Sequence, residues 1–249
     1  MSRLVDKIKR ARRMDAAPMG FGVATERRAS QTLLCLLRLD RDQAGKIGDA
    51  AATADAVIIT GAEVDKLERV LGKLGDVCVG LDLGNAERST VAAAREAGAD
   101  FVLLNGQSSA DVILEEKVAF VLGIGAEVSD AELRALGGLS LDALEAPAVG
   151  EPFTLRQFVE LRRLSMLSQT PLFIEVQSEA GPARLEALRN AGVVGVIIDG
   201  KAPGQLAALR EAVLSLPPRG HRGEERTEAL LPSLTGVPSA EVEEDPDSE

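Results

Sequence analysis

Eight short apolar runs recur along the middle of the chain, each followed by a polar or glycine break and then a helix-like stretch. They are LLCLLRL (33–39), AVIIT (56–60), VCVGLDL (77–83), FVLLN (101–105), VAFVLGI (118–124), LDALEA (141–146), LFIEVQ (172–177) and VVGVIID (193–199). Their starts lie 17–31 residues apart. Nearly continuous Val, Ile and Leu suits parallel strands covered on both faces. The stretches between them carry helical spacing: AGKIGDAAATA, EVDKLERVLGKLG, AERSTVAAAREAG, SADVILEEK, SDAELRALGG, TLRQFVELRRLSMLS and ARLEALRNAG, with GQLAALREAVLSL after the eighth run. Several close on glycine, at Gly75, Gly98 and Gly192, as helix C-termini do.

Strict βα alternation requires a parallel sheet, and eight units point to a closed (β/α)₈ barrel. The competing architecture is an open doubly wound sheet. That fold typically uses fewer strands and carries a glycine-rich fingerprint after the first, which LRLDRDQAG lacks. The expected fold is therefore an α/β TIM barrel over residues 32–216, compact and with short loops, preceded by an N-terminal helix and followed by a disordered acidic tail. In segment 1–31, Leu4, Val5, Ile8 and Ala11 make one apolar stripe, with Lys7, Lys9, Arg10, Arg12 and Arg13 largely elsewhere. A helix capping the bottom of the barrel is the main reading. A basic docking element for an acidic partner, RNA or lipid is the alternative. A strand at 20–24 would shift the unit count by one. Segment 217–249 is rich in Pro, Gly, Ser and Glu and has little apolar content to offset its ordering entropy.

Strand alternation also locates a site. On a barrel the working face is the C-terminal end of the strands. Read in steps of two, Arg38 shares phase with Leu34 and Leu36, Thr60 with Ala56 and Ile58, and Asp82 with Cys78 and Gly80. Asn105 goes with Phe101 and Leu103, Glu145 with Leu141 and Ala143, Glu175 with Phe173, and Asp199 with Gly195 and Ile197. Seven of eight strands thus present a polar side chain near one end, and the fifth offers Gly123 and Gly125. Either this is a polar mouth, or the residues simply mark where strands meet water.

Composition narrows the chemistry. The chain of 249 residues has no Trp, no Tyr, two Cys and one His, His221, which falls in the tail. Its formal charge of -11 divides into +5 over 1–31, -10 over 32–216 and -6 over 217–249. The aromatic shortage and the acidic body argue against nucleic acid as a partner. No apolar run is long enough to span a membrane, and the basic N-terminus lacks the apolar core of a secretory signal. Cys35 and Cys78 read as buried thiols of a reducing compartment, which makes the cytoplasm the expected location. A reactive thiol is the minor alternative.

Acid–base work then falls to carboxylates, with Asp82, Glu145 and Glu175 as candidate catalytic groups. Arg38, Thr60, Asn105 and Asp199 are candidate ligand contacts. Four carboxylates against Arg38 in a dry cavity need pairing, protonation, water or a cation such as Mg²⁺. Zinc is disfavoured for want of His and Cys at the mouth. A Schiff-base lysine is disfavoured because only Lys201 ends a strand on the active face. The loops after the seventh and eighth strands, QSEAGPARL and DGKAPGQL, offer Gly181, Gly200, Gly204 and Lys201 for close approach to a phosphate.

The last two units, FIEVQSEAGPARLEALRNAGVVGVIIDG, and the phrase AREAGADFVLLNG resemble the phosphate-binding (β/α)₈ barrels. That superfamily includes thiamine-phosphate synthase, phosphoribosylanthranilate isomerase and indole-glycerol-phosphate synthase. The similarity covers about a quarter of the chain. It implies a phosphorylated small metabolite near Gly181, Gly200 and Lys201. The chain departs from the pattern in two ways: Ser178-Glu179-Ala180-Gly181 stands in place of a paired-glycine grip, and the usual catalytic Lys or Cys of the early strands is not evident.

Two functions follow. One is a small-molecule-binding barrel, with a carboxylate-dependent lyase or isomerase as its catalytic form. The other is a catalytically inactive scaffold acting through its surface. Helix TLRQFVELRRLSMLS favours the second: Leu155, Phe158, Val159, Leu161, Leu164, Met166 and Leu167 make a stripe wider than one buried face needs, which suits either core packing or a homodimer face.

Overall fold

The computed structural model describes residues 2–12, 31–44, 53–61, 77–176, 180–200 and 204–217. Eight parallel strands close into a barrel in sequential order. They are β1 (Leu34–Asp40), β2 (Ala56–Thr60), β3 (Cys78–Gly84), β4 (Phe101–Leu104), β5 (Ala119–Gly123), β6 (Ala143–Ala146), β7 (Leu172–Glu175) and β8 (Val193–Asp199). The helices are α1 (Arg3–Arg12), α2 (Arg41–Ala44), α3 (Arg88–Glu96), α4 (Asp130–Gly137), α5 (Leu155–Ser168), α6 (Pro182–Ala191) and α7 (Gly204–Leu214). Each apolar run has become a strand. The chain divides into two units, Met1–Arg219, which carries the barrel, and Gly220–Glu249, which lies outside the described residues together with His221. The helix expected at EVDKLERVLGKLG, the strand considered at 20–24 and the tail beyond Pro217 also lie outside them.

One expectation is corrected. SADVILEEK forms no α-helix; it folds as a single 3₁₀ turn, Ala110–Leu114. The turn buries Val112, while Ile113 and Leu114 are exposed, so it has no continuous apolar face to lay on the sheet. Elsewhere the local chemistry agrees with the helices. Ser129 and Glu132 form a reciprocal capping box at the start of α4, and Thr154 and Gln157 do so at α5. Gly98 and Gly192, at the ends of α3 and α6, take φ of +100° and +109°, a backbone state that favours glycine.

The strands sort their side chains into two cores. Outward residues such as Leu37, Ile59, Val102, Leu144 and Ile198 pack beneath the helices. Inward residues such as Leu36, Ile58, Phe101, Val121, Phe173 and Ile197 fill the barrel. Two large–small pairings set the interior. Phe101 on β4 lies beside Gly80 on β3, and Phe173 on β7 beside Gly195 on β8. A Cβ at Gly80 would come within 2.2 Å of the Phe101 ring, and one at Gly195 within 2.6 Å of Phe173.

The bottom of the barrel is built from charge. Asp55, Asp100 and Asp142 each precede an even-numbered strand. Each accepts the backbone N–H of a residue on the strand before it: Cys35 at 2.8 Å, Val79 at 3.2 Å and Phe120 at 2.8 Å. Helix α1 closes this end, with Leu4, Ile8 and Ala11 buried in the interior core. Its Arg3 pairs with Asp100 at 2.7 Å. At the seam, the buried Arg189 of α6 donates to the Thr32 hydroxyl at 3.3 Å and to the carbonyl of Pro217. One guanidinium therefore holds the residues at which the chain enters and leaves the barrel.

Candidate functional site

Arg38, Thr60, Asp82, Glu145, Glu175 and Asp199 occupy the C-terminal parts of β1, β2, β3, β6, β7 and β8, and Asn105 follows β4 directly. Each continues the phase of its strand's inward apolar residues. Three of the seven converge. Arg38 reaches across the mouth, past β8, to β6 and β7. Its Nη2 donates to both oxygens of Glu145, at 2.7 and 2.8 Å, and its Nη1 donates to Glu175 Oε2 at 2.7 Å. The Nε–H of Arg38 is buried without an acceptor. Burial opposes the charge on this guanidinium. The hydrogen bond to Glu145 and the charges of Glu145, Glu175 and Asp82 outweigh it and hold Arg38 above its ordinary value, so it stays cationic.

Thr60, Asp82 and Asn105 are engaged elsewhere, Thr60 with the end of β1 and the other two within their own loops. Thr60 donates to Asp40 Oδ1 at 2.9 Å. Asp82 accepts the Gly84 N–H at 3.2 Å, where β3 breaks register against β4. Asn105 accepts the Gln107 N–H at 2.8 Å, a side-chain-closed turn. Asp199 is exposed and stands opposite Arg38 in the β1–β8 register.

The phosphate candidates separate. Gly181 is the N-cap of α6; it is exposed, has no side-chain cap, and open space lies where a Cβ would project. Gly200 is buried, its N–H donates to the Arg38 carbonyl at 2.8 Å, and a Cβ there would run into Leu39. That amide is already committed to β1. Lys201 lies outside the described residues.

Among the described residues no three His, Cys, Asp or Glu side chains are grouped to hold a metal ion. Glu145 and Glu175 are bridged instead by a cation the protein supplies. Both cysteines are free and buried, Cys35 on the outer side of β1 and Cys78 in the barrel interior. Burial pushes each thiol up to about 12, so both remain protonated at neutral pH.

The sequence reading missed a cleft of about 620 Å³ beside the mouth, lined by Asn85, Glu87, Arg88, Ser89, Gln107 and Asp111 among others. Its signal was available as two consecutive polar loops, after the third and fourth strands.

No family model and no curated protein matches the chain. By structure it is similar to 3-keto-L-gulonate-6-phosphate decarboxylase from Vibrio cholerae, at 16% identity and a TM-score of 0.63, over 75% of this chain and 99% of that one. A 3-hexulose-6-phosphate synthase gives 17% and 0.56, over 74% and 100%. Thiamine phosphate pyrophosphorylase from Pyrococcus furiosus gives 15% and 0.53, over 74% and 96%. The resemblance read from the last two units and this structural likeness meet on the same kind of barrel. At such identities what is shared is the fold: the chain is a (β/α)₈ barrel built as these three enzymes are.

Proposed function

We propose that this barrel binds a small metabolite at the C-terminal mouth and that its carboxylates do acid–base work there, as in a lyase or isomerase. The observation that carries this reading is the Arg38–Glu145–Glu175 cluster, drawn from β1, β6 and β7 to the end of the barrel where such folds place their chemistry. Phosphosugar decarboxylases and synthases among the structural neighbours make a phosphorylated ligand the first class to test. The phosphate would sit away from the carboxylates, toward the N-terminus of α6 at Gly181, where the positive end of the helix dipole favours an anion. The buried free thiols support a reducing compartment, and among the described residues no helix is long and apolar enough to cross a membrane. A thermal-shift screen should pair phosphorylated metabolites with their unphosphorylated counterparts, with and without Mg²⁺. A ligand at about one hundred times its Kd stabilises by roughly 2.7 kcal/mol, which is several degrees in Tm. The shift should vanish in Glu175→Ala. No shift across the panel would remove the proposal.

A second reading is a scaffold that works as a homodimer. It is favoured by α5, where Leu161 and Leu164 are buried while Leu155, Val159 and Met166 stand out at 77%, 58% and 62% exposure. Phe158 turns inward against Phe153 and is not part of this face. Light scattering should then report a dimer that Val159→Glu converts to monomer. A monomeric wild type excludes it.

A further inference from the structure

The two glutamates on Arg38 are not equivalent. Glu145 spends both oxygens on Nη2 and its side chain is 15% exposed. Glu175 accepts one bond, through Oε2, and its side chain is 44% exposed. Among the described residues its Oε1 has no hydrogen-bond partner. Arg38 has given up an acceptor for its own Nε–H to reach both carboxylates with its terminal nitrogens. Asp82 on β3 carries the same sign as the glutamates and adds to the pull on the guanidinium, and Asp199 on β8, of the same sign, stands opposite Arg38 in the strand register.

We propose that Glu145 is the anchor of the site, that Arg38 is a positioning residue held by it, and that Glu175 alone exchanges a proton with the ligand. This rests on the reading of the mouth as a ligand site and divides the labour within it. Glu175 as the carboxylate takes a proton through Oε1, and as the acid it returns the same proton, so the exchange balances without a co-reactant. Arg38, held by both oxygens of Glu145, ties Glu175 down through Oε2 and leaves Oε1 of this half-exposed side chain for the ligand.

The division can be tested on the full-length protein without any ligand. Carbodiimide and an amine should modify Glu175 several-fold faster than Glu145 when the labelled peptides are quantified by mass spectrometry. Equal rates, or faster labelling of Glu145, would overturn the assignment. The Arg38 Nη nitrogens, assigned by their loss in Arg38→Lys, should give two distinct NMR resonances in the wild type and in Glu175→Gln. They should average in Glu145→Gln. If Glu145→Gln does not fold, Glu145→Asp replaces it, one methylene too short to keep both bonds. Arg38 remaining locked without its anchor sinks the proposal. The ligand reading fails separately: labelling in the expected order, with no screened compound shielding Glu175, would leave the geometry standing and remove the function.

Discussion

Gly80 and Phe101 show how a single missing side chain organises the interior. The Phe101 ring fills the volume that a Cβ on the neighbouring strand would need, and Phe101 is fully buried with nowhere to retreat. Overpacking a close-packed core costs about 1–3 kcal/mol. Gly80→Ala should therefore lower stability by about that amount or more, read as a fall in the urea midpoint at unchanged slope. A neutral result would mean that β3 can shift. At this scale the sequence was informative about direction and silent about contact. Alternation places Arg38, Glu145 and Glu175 on the same side as Phe101 and Phe173. It does not say that a long guanidinium spans to β6 and β7 while Thr60 turns to Asp40 on β1 and Asp82 and Asn105 fold back onto their own loops. Those outcomes depend on side-chain reach and turn geometry, which a period of two does not encode.

The strand termini repeat one device: an aspartate before β2, β4 and β6 that secures the preceding strand's amide. The pattern is visible as Asp55 and Asp100 directly before two apolar runs and Asp142 near the start of a third, but a period-based reading passes over it because it follows the apolar positions and not the polar residue at the strand's entry. Burial pushes Asp142 above the ordinary carboxylate range, against the opposing pull of the Phe120 amide and the charge of Lys9. A carboxylate raised on folding costs stability above its unfolded value. The cost grows as pH rises from about 4 through the raised folded value, and it is complete at neutral pH. Asp142→Asn keeps an acceptor for the amide and discards the charge. It should raise Tm at pH 7, with the advantage fading toward pH 4; an advantage that grew on acidification would refute the cause. Among helices, those whose ends carry chemical signals were legible, as at Gly98 and Gly192. The 3₁₀ turn at Ala110–Leu114 was not, because five residues with one buried apolar side chain imitate a helix only in composition.

For the whole molecule, the alternation of apolar runs with helical stretches specified a parallel sheet covered on both faces, and the count of eight, with no glycine-rich fingerprint after the first run, favoured closure over an open doubly wound sheet. The charge division also takes on a physical meaning. The basic residues of α1 lie at the barrel floor, where Arg3 meets Asp100 and Lys9 acts on Asp142, so part of the positive head answers the negative body. The clasp at Arg189 carries a further consequence. Because one side chain touches both Thr32 and Pro217, the barrel is spatially a ring whose two ends already adjoin. A short linker between them, with α1 kept ahead of the new first strand to close the floor, would allow the chain to be opened at an exposed loop away from the mouth, and circular permutants of this kind would carry the mouth unchanged on a different order of strands.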